Sequence, residues 1–221
     1  MTPHYKARRL AESSENTVRI GTSLLYKCRL LPDIWVKTNE QCPELKIEIL
    51  SMAESQSRGT SFSMLGVHYD LWEGIYCNGG WDGLCQFLEL MRTPICCAVA
   101  KTHRLAGAKS LTMQDLNGEY LVMPIPNVSA EIDGFRAEVT SKFPTVQVVD
   151  SSYYGVDTFT LCELNPYVLI TQPVYADIHT NLVTIPLETS YTMPYGLIYA
   201  NEPTAATKKF IAAVKALYET R

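Results

Sequence analysis

The chain has 221 residues, 47% of them hydrophobic and 19% charged, enough for a packed core in one large domain or two lobes. Its net charge of −4 and its cations, clustered only at Lys6, Arg8 and Arg9 and at Lys208 and Lys209, exclude tight DNA binding by this chain alone. No apolar run reaches the length of a membrane span and residues 1–16 lack a signal-peptide core, so a cytoplasmic protein without a membrane partner is expected.

Seven cysteines form no Cys-x-x-Cys pair and four histidines are scattered, so neither a metal nor a cofactor is expected. Free, mostly buried thiols in a reducing compartment fit this pattern. Cys96 and Cys97 are adjacent in a strand-like run and point to opposite faces.

Residues 1–16 read as a linker tail, with Lys6–Ala11 the frayed end of a helix. Val18, Arg19 and Ile20 form a short strand, and Gly21-Thr22-Ser23 is a small-residue break. Leu24, Leu25, Leu30, Leu31, Ile34 and Trp35 then recur at helical spacing. A strand turning through hydroxyl residues into a helix presents unpaired N–H groups to an anion. The alternative is that Thr22 or Ser23 is simply the helix N-cap.

Leu45–Leu50 alternates as a half-buried strand, and residues 53–61 are a polar loop leading to a short helix at Phe62, Met64 and Leu65. Tyr69–Tyr76 is a third strand, and the alternation argues for a parallel α/β sheet. Trp81, in the glycine-rich loop 78–83, is either a lid over a pocket or a ring pinning the loop. Ile95–Ala100 is apolar throughout, as a strand buried on both faces is.

A loop, a one-turn helix closed by Gly118 and a strand to Met123 follow. Residues 124–129 form a second strand-to-helix break, opening a helix through Ile132, Phe135, Val139 and Phe143. Strands at 145–149, 167–170, 182–185 and 196–199, a helix at 155–164 and a terminal helix capped by Thr204 complete the chain.

At residues 95–123 the pattern becomes specific. The buried strand followed by Thr102-His103-Arg104-Leu105-Ala106-Gly107 and by Gln114-Asp115-Leu116-Asn117-Gly118 resembles the effector-binding domain of LysR-type transcriptional regulators. In that family a His-Pro-Leu-Ala turn and an x-Asp-Leu-x-Gly turn come in this order; Arg104 stands in place of the usual proline. The opening Val18–Leu25, the Leu30-Leu31-Pro32 run and Tyr69-Asp70 match its first lobe. Residues 163–173 resemble its return to the hinge, with Leu164-Asn165-Pro166 replacing the family glycines.

The resemblance covers residues 17–221 and implies an α/β, two-lobed periplasmic-binding-protein type 2 fold with two crossover strands and a ligand cleft between lobes. Lobe I would be residues 17–98 plus 194–221, and lobe II residues 99–193. It further implies a homodimer or tetramer that senses a small-molecule effector and contacts DNA only through an N-terminal winged helix-turn-helix domain. The sequence carries no such domain, as an excised piece of a longer regulator would.

Two other readings share the fold: a solute-binding protein serving transport, and a small-molecule enzyme. Neither a nucleophile elbow nor a His-Glu-x-x-His motif nor a phosphate loop is present, and Asp70 and Glu73 read as surface or hinge carboxylates, so no enzyme is expected. Ligand contacts are expected from Thr22, Ser23 and Leu24 at the first turn and from Ser55 and Ser57 in the polar loop. The second lobe would add Pro124, Ile125, Asn127 and Ser129, an aromatic wall from Tyr153 or Tyr154, and Thr171 at the return crossover. Hydroxyls, prolines and aromatics together suggest a small carboxylate effector, and two helix N-termini would face it.

Overall fold

The computed structural model describes residues 15–52, 62–79, 81, 83–152 and 154–219. The expected helix end at Lys6–Ala11, the loop serines Ser55 and Ser57, and Tyr153 lie outside these residues.

The chain divides into two compact units. The first takes the described residues of Met1–Tyr76, Asp82–Leu90 and Tyr195–Arg221, and the second those of Cys77–Trp81 and Met91–Pro194. The main divisions thus fall at 90/91 and 194/195, where the sequence suggested 98/99 and 193/194.

The first unit is built on a sheet of β1 (Thr17–Thr22), β2 (Lys46–Ser51), β3 (Leu71–Ile75), β4 (Gln86–Pro94) and β10 (Thr192–Tyr199), in the order β2-β1-β3-β10-β4. β1 runs parallel to β2 and β3, with Ile20 level with Ile49 and Leu71. β10 runs antiparallel to β3, with Gly196 opposite Gly74. The sheet is therefore mixed, where alternation of strand and helix had suggested a parallel one.

Val18, Ile20, Leu71 and Leu197 point to one face, and helices α1 (Leu31–Gln41) and α4 (Ala205–Glu219) bury Leu31, Ile34, Phe210 and Val214 against it. Trp35 and Phe210 meet with ring centroids 6.3 Å apart. Thr204 caps α4, its Oγ1 accepting from Thr207 N at 3.1 Å. On the opposite face Trp72 packs against Tyr26, Phe62 and Tyr69, at centroid separations of 6.0, 5.4 and 5.7 Å. Gly21 permits this packing: a Cβ there would lie 2.7 Å from Met52 Sδ and 3.0 Å from the Tyr69 ring.

The second unit has its own sheet, ordered β7 (Gln147–Ser151), β6 (Tyr120–Pro124), β8 (Tyr167–Thr171), β5 (Cys96–Ala100) and β9 (Leu182–Pro186). β6 is parallel to β7 and β8, while β5 is antiparallel to β8 and β9. Helix α2 (Ala130–Lys142) buries Ile132, Phe135 and Val139, and α3 (Val156–Leu164) buries Phe159 and Cys162. Trp81 is buried within this unit, so its ring pins the loop. All seven cysteines are unbridged, and Cys28 and Cys77 alone are more than slightly exposed.

Candidate functional site

In parallel α/β sheets the strand carboxyl ends are where loops gather polar groups for a ligand. In the first unit these ends are Thr22 of β1 and Ser51 of β2, which are register partners. Thr22, Ser23 and Leu24 close a tight turn. The Thr22 hydroxyl donates to Tyr26 O at 2.9 Å, Ser23 N donates to the same oxygen at 3.2 Å, and Ser23 Oγ accepts from Tyr26 N at 3.2 Å. Leu24 is exposed at the tip.

This turn is not a helix start. α1 begins seven residues beyond Leu24, at Leu31, and its N-cap Leu30 makes no side-chain cap bond. Pro32 sets that position: a proline is accommodated in the first turn of a helix but clashes with the preceding turn from its interior. A helix running continuously from Leu24 through Ile34 is therefore excluded, and with it the reading of Thr22 or Ser23 as its N-cap or helix-start anion ligand.

The N–H groups that open α1 are filled from within. The Glu73 carboxylate, fully buried on β3, accepts from Arg29 N at 3.1 Å, Leu30 N at 2.8 Å and Leu31 N at 3.0 Å. It also accepts from the Tyr195 hydroxyl at 2.5 Å. A negative charge at a helix N-terminus is stabilised by the helix dipole as well as by these bonds. Burial, and then the Glu73 charge, push the Tyr195 phenol well above its ordinary range. The nearby Cys28 thiol is pushed up by burial and then by Glu73, against a hydrogen bond to Thr22 that lowers it.

Asp70 is likewise buried rather than at the surface. It accepts from Arg19 N at 2.9 Å and Arg19 Nε at 3.0 Å, and pairs with the Arg19 Nη2 end as well. Both carboxylates that sequence reading placed at the surface or hinge are thus interior structural groups. Neither pairs with the other as an acid and base would.

In the second unit the carboxyl ends of β6, β7 and β8 bring Pro124, Ser151 and Thr171 to one edge of the sheet. Pro124 is level with Ser151, and Ile125 N donates to Ser151 O at 3.1 Å. The Tyr154 hydroxyl donates to Thr171 Oγ1 at 2.8 Å, and its ring packs on Phe159 and Tyr175. Burial drives the Tyr154 phenol far above its ordinary range. Thr171 is fully buried, and among the described residues its own proton has no acceptor.

Ser129 and Asn127 have local duties. Ser129 caps α2, its Oγ accepting from Ile132 N at 3.1 Å. Asn127 adopts a positive φ of 67°, and its N–H donates to the Asp133 carboxylate at 3.0 Å. Ala130 N donates to Asn78 Oδ1 at 3.2 Å, and Gly79 N to Val128 O at 2.9 Å. A Cβ on Gly79 would lie 2.6 Å from Val128 O, so only glycine admits this close approach. The start of α2 is consequently satisfied by Asn78 and Ser129, as the start of α1 is by Glu73.

Sequence reasoning missed Glu73, Tyr26 and Asn78. The usable signals were Pro32, which fixes where α1 starts, and a glutamate inside the apolar run Leu71–Ile75, which must find donors if that strand is buried. Among the described residues no group of three or more His, Cys, Asp or Glu side chains is placed to hold a metal ion, and no helix is long and apolar enough to cross a membrane.

The sequence profile of the LysR substrate binding domain matches residues 11–219. No relative among the curated proteins matches the chain by sequence. Among solved structures, the effector-binding domain of QuiR in complex with shikimate superposes with a TM-score of 0.66 at 15% identity, covering 94% of this chain and 99% of that one. The BenM effector-binding domain with its effector benzoate gives 0.59 at 20% identity, covering 94% of each chain. CbnR, a LysR family transcriptional regulator, gives 0.64 at 12% identity, covering 97% of this chain and 74% of that one. At these identities the superpositions establish the fold, and the profile, spanning nearly the whole sequence, establishes descent. The chain belongs to the LysR substrate-binding-domain family, and it is an effector-sensing domain of the LysR type.

Proposed function

We propose that the effector is a small carboxylate with a cyclic body. Its contacts would come from the strand carboxyl ends: Thr22, Ser23 and Leu24 in the first unit, and Pro124, Ile125, Tyr154 and Thr171 in the second. The loop serines Ser55 and Ser57 belong to the same proposed set. Asn127 and Ser129, engaged in opening α2, would shape the loop rather than grip the ligand. The observation that carries this reading is the Tyr154–Thr171 hydroxyl pair, where a buried Thr171 proton has no acceptor among the described residues. Such a donor is satisfied at low cost only by an acceptor brought from outside. Shikimate and benzoate, the ligands named for QuiR and BenM, are cyclic carboxylates.

In this reading the domain is the sensory part of a longer cytoplasmic regulator that acts as a homodimer or tetramer, and DNA is touched only by a winged helix-turn-helix domain. Ligand binding shifts a conformational equilibrium through its differential affinity for one state. The domain performs no chemistry on its effector.

A thermal-shift titration against shikimate, benzoate and related acids tests the proposal. An effector that binds only the folded chain raises the melting temperature as RT ln(1 + [L]/Kd). Thr171→Val is expected to weaken the stabilising acid about tenfold, the loss of one well-made hydrogen bond to a charged group. Uniform indifference to the acids, or an undiminished response in Thr171→Val, would sink it. Consumption of the acid on incubation would point to an enzyme instead.

A further inference from the structure

The first unit holds an open groove of about 430 Å³ on its own surface, in the size range of small-molecule sites. It lies along α4, where Lys208, Ile211 and Lys215 share one face at spacings of three and four residues. The opposite wall is the segment that follows β10, with Glu202 and Pro203. The wall is held by two bonds: Gln86 Nε2 donates to Asn201 O at 3.1 Å, and Asn201 Nδ2 to Gly83 O at 2.6 Å. The groove is thus a built feature of β4, β10 and α4.

Three properties define what it would take. Lys208 and Lys215 are exposed, and among the described residues neither has a carboxylate partner; with Glu202 the lining carries one net positive charge, which matches a single carboxylate. Ile211, Pro203 and the Tyr199 ring offer apolar surface between the ammonium groups. At the base stands Tyr199, only 6% exposed, whose hydroxyl has no hydrogen-bond partner among the described residues. Burial raises its pKa with no hydrogen bond to offset it, so it stays a neutral donor. A buried donor without an acceptor is rare in native structures and is normally satisfied by a bound group.

The geometry points to a second ligand site in this groove, separate from the effector-binding strand ends and selective for a small monocarboxylate with an apolar body. The carboxylate pairs with Lys208 or Lys215, the apolar body lies on Ile211 and Pro203, and Tyr199 supplies a hydrogen bond at the base. Tyr199 ends β10, the strand that enters this unit from Thr192 and Met193 of the other, so an occupant here touches a segment shared by both units. It provides a second input distinct from the effector.

The test is amide chemical-shift mapping on the 15N-labelled chain, titrated in parallel with benzoate, 4-methylpentanoate and the neutral benzyl alcohol. Saturable shifts at Gln86, Asn201, Lys208, Ile211 and Lys215 with at least one acid, and none there with the alcohol, are expected. Lys208→Gln/Lys215→Gln should weaken that binding about tenfold, the scale of two solvent-screened charge contacts. Tyr199→Phe should weaken it about threefold while leaving the unbound spectrum folded. Neither change should alter shifts at Thr22 or Thr171, so this site and the effector site fail separately. Groove amides unmoved by both acids, equal shifts with benzyl alcohol, or full affinity in the double-lysine variant would overturn the proposal.

Discussion

A carboxylate with no exposed surface is tolerated only where donors replace the water it has lost. Glu73 meets that condition with three backbone N–H groups and the Tyr195 hydroxyl. Glu73→Gln keeps the shape but exchanges a charged acceptor for a neutral amide, and should lower unfolding free energy by about 2 kcal/mol. A urea titration should show an earlier midpoint at unchanged slope. An unshifted midpoint would mean that the carboxylate contributes nothing net to the start of α1. Tyr195 ties the same cluster to alkaline pH. Its phenol is raised above its ordinary value of 10.0, by burial first and the Glu73 charge second, so the folded chain favours the neutral form. That contribution is complete below pH 10 and is lost as pH climbs through the folded value. Tyr154, raised mainly by burial, acts in the same direction. Tyr195→Phe should therefore flatten the alkaline fall of stability above about pH 10, at a cost near 1 kcal/mol at neutral pH. Chemical unfolding at a series of pH values reads both effects, and a fall as steep as in the parent chain would contradict the assignment.

Single strands and helices carry the next level of constraint, and β10 carries the most of it. Gly196 sits where β10 meets β4, and a Cβ there would run into the Leu88 carbonyl, which is backbone and cannot swing away. Gly196→Ala is expected to cost about 3 kcal/mol, whereas Gly107→Ala, with nothing near its added methyl, should stay within about 0.5 kcal/mol. Thermal unfolding of the pair makes the comparison, and equal losses would show that β4 yields to the methyl. Much at this scale was readable beforehand. Ser129 at the start of α2, Thr204 at the start of α4 and Gly118, with φ +79° after its 3-10 turn, follow from local backbone chemistry that tertiary contacts reinforce. The start of α1 was misread because apolar spacing continues through Leu24 and Leu25, and periodicity does not register a turn held by Tyr26. Pro32 did hold that information. β4 was missed because it is the edge strand of its sheet and carries Gln86, Glu89 and Arg92 among its apolar residues. The roles of Glu73 and Asn78 depend on partners 42 and 52 residues away, so no local pattern encodes them.

At the scale of the whole molecule, the match to the LysR family fixes what the two sheets are for, and the ligand chemistry is left to the side chains at the strand ends. There the sequence chose the right loops but a wrong mechanism in one respect. Both helix starts expected to receive an anion are filled by the chain's own Glu73, Asn78 and Ser129. Affinity for an acid then has to come from hydroxyls and from the loop side chains.

The interleaving of the two units also dictates an order of assembly during synthesis. The second unit's strands β5 to β9 all lie between Cys96 and Pro186, so that sheet is complete in sequence while the C-terminal segment is still on the ribosome. The first unit begins earlier and finishes later. β3 and β4 have no strand between them until Thr192–Tyr199 is made, and their helical cover waits for Phe210 and Val214. At translation rates of about 5–20 residues per second, the half that is started first spends several seconds as an open set of strands after its partner can close. Nascent-chain quality control will therefore meet this protein chiefly as an unfinished first unit beside a folded second one.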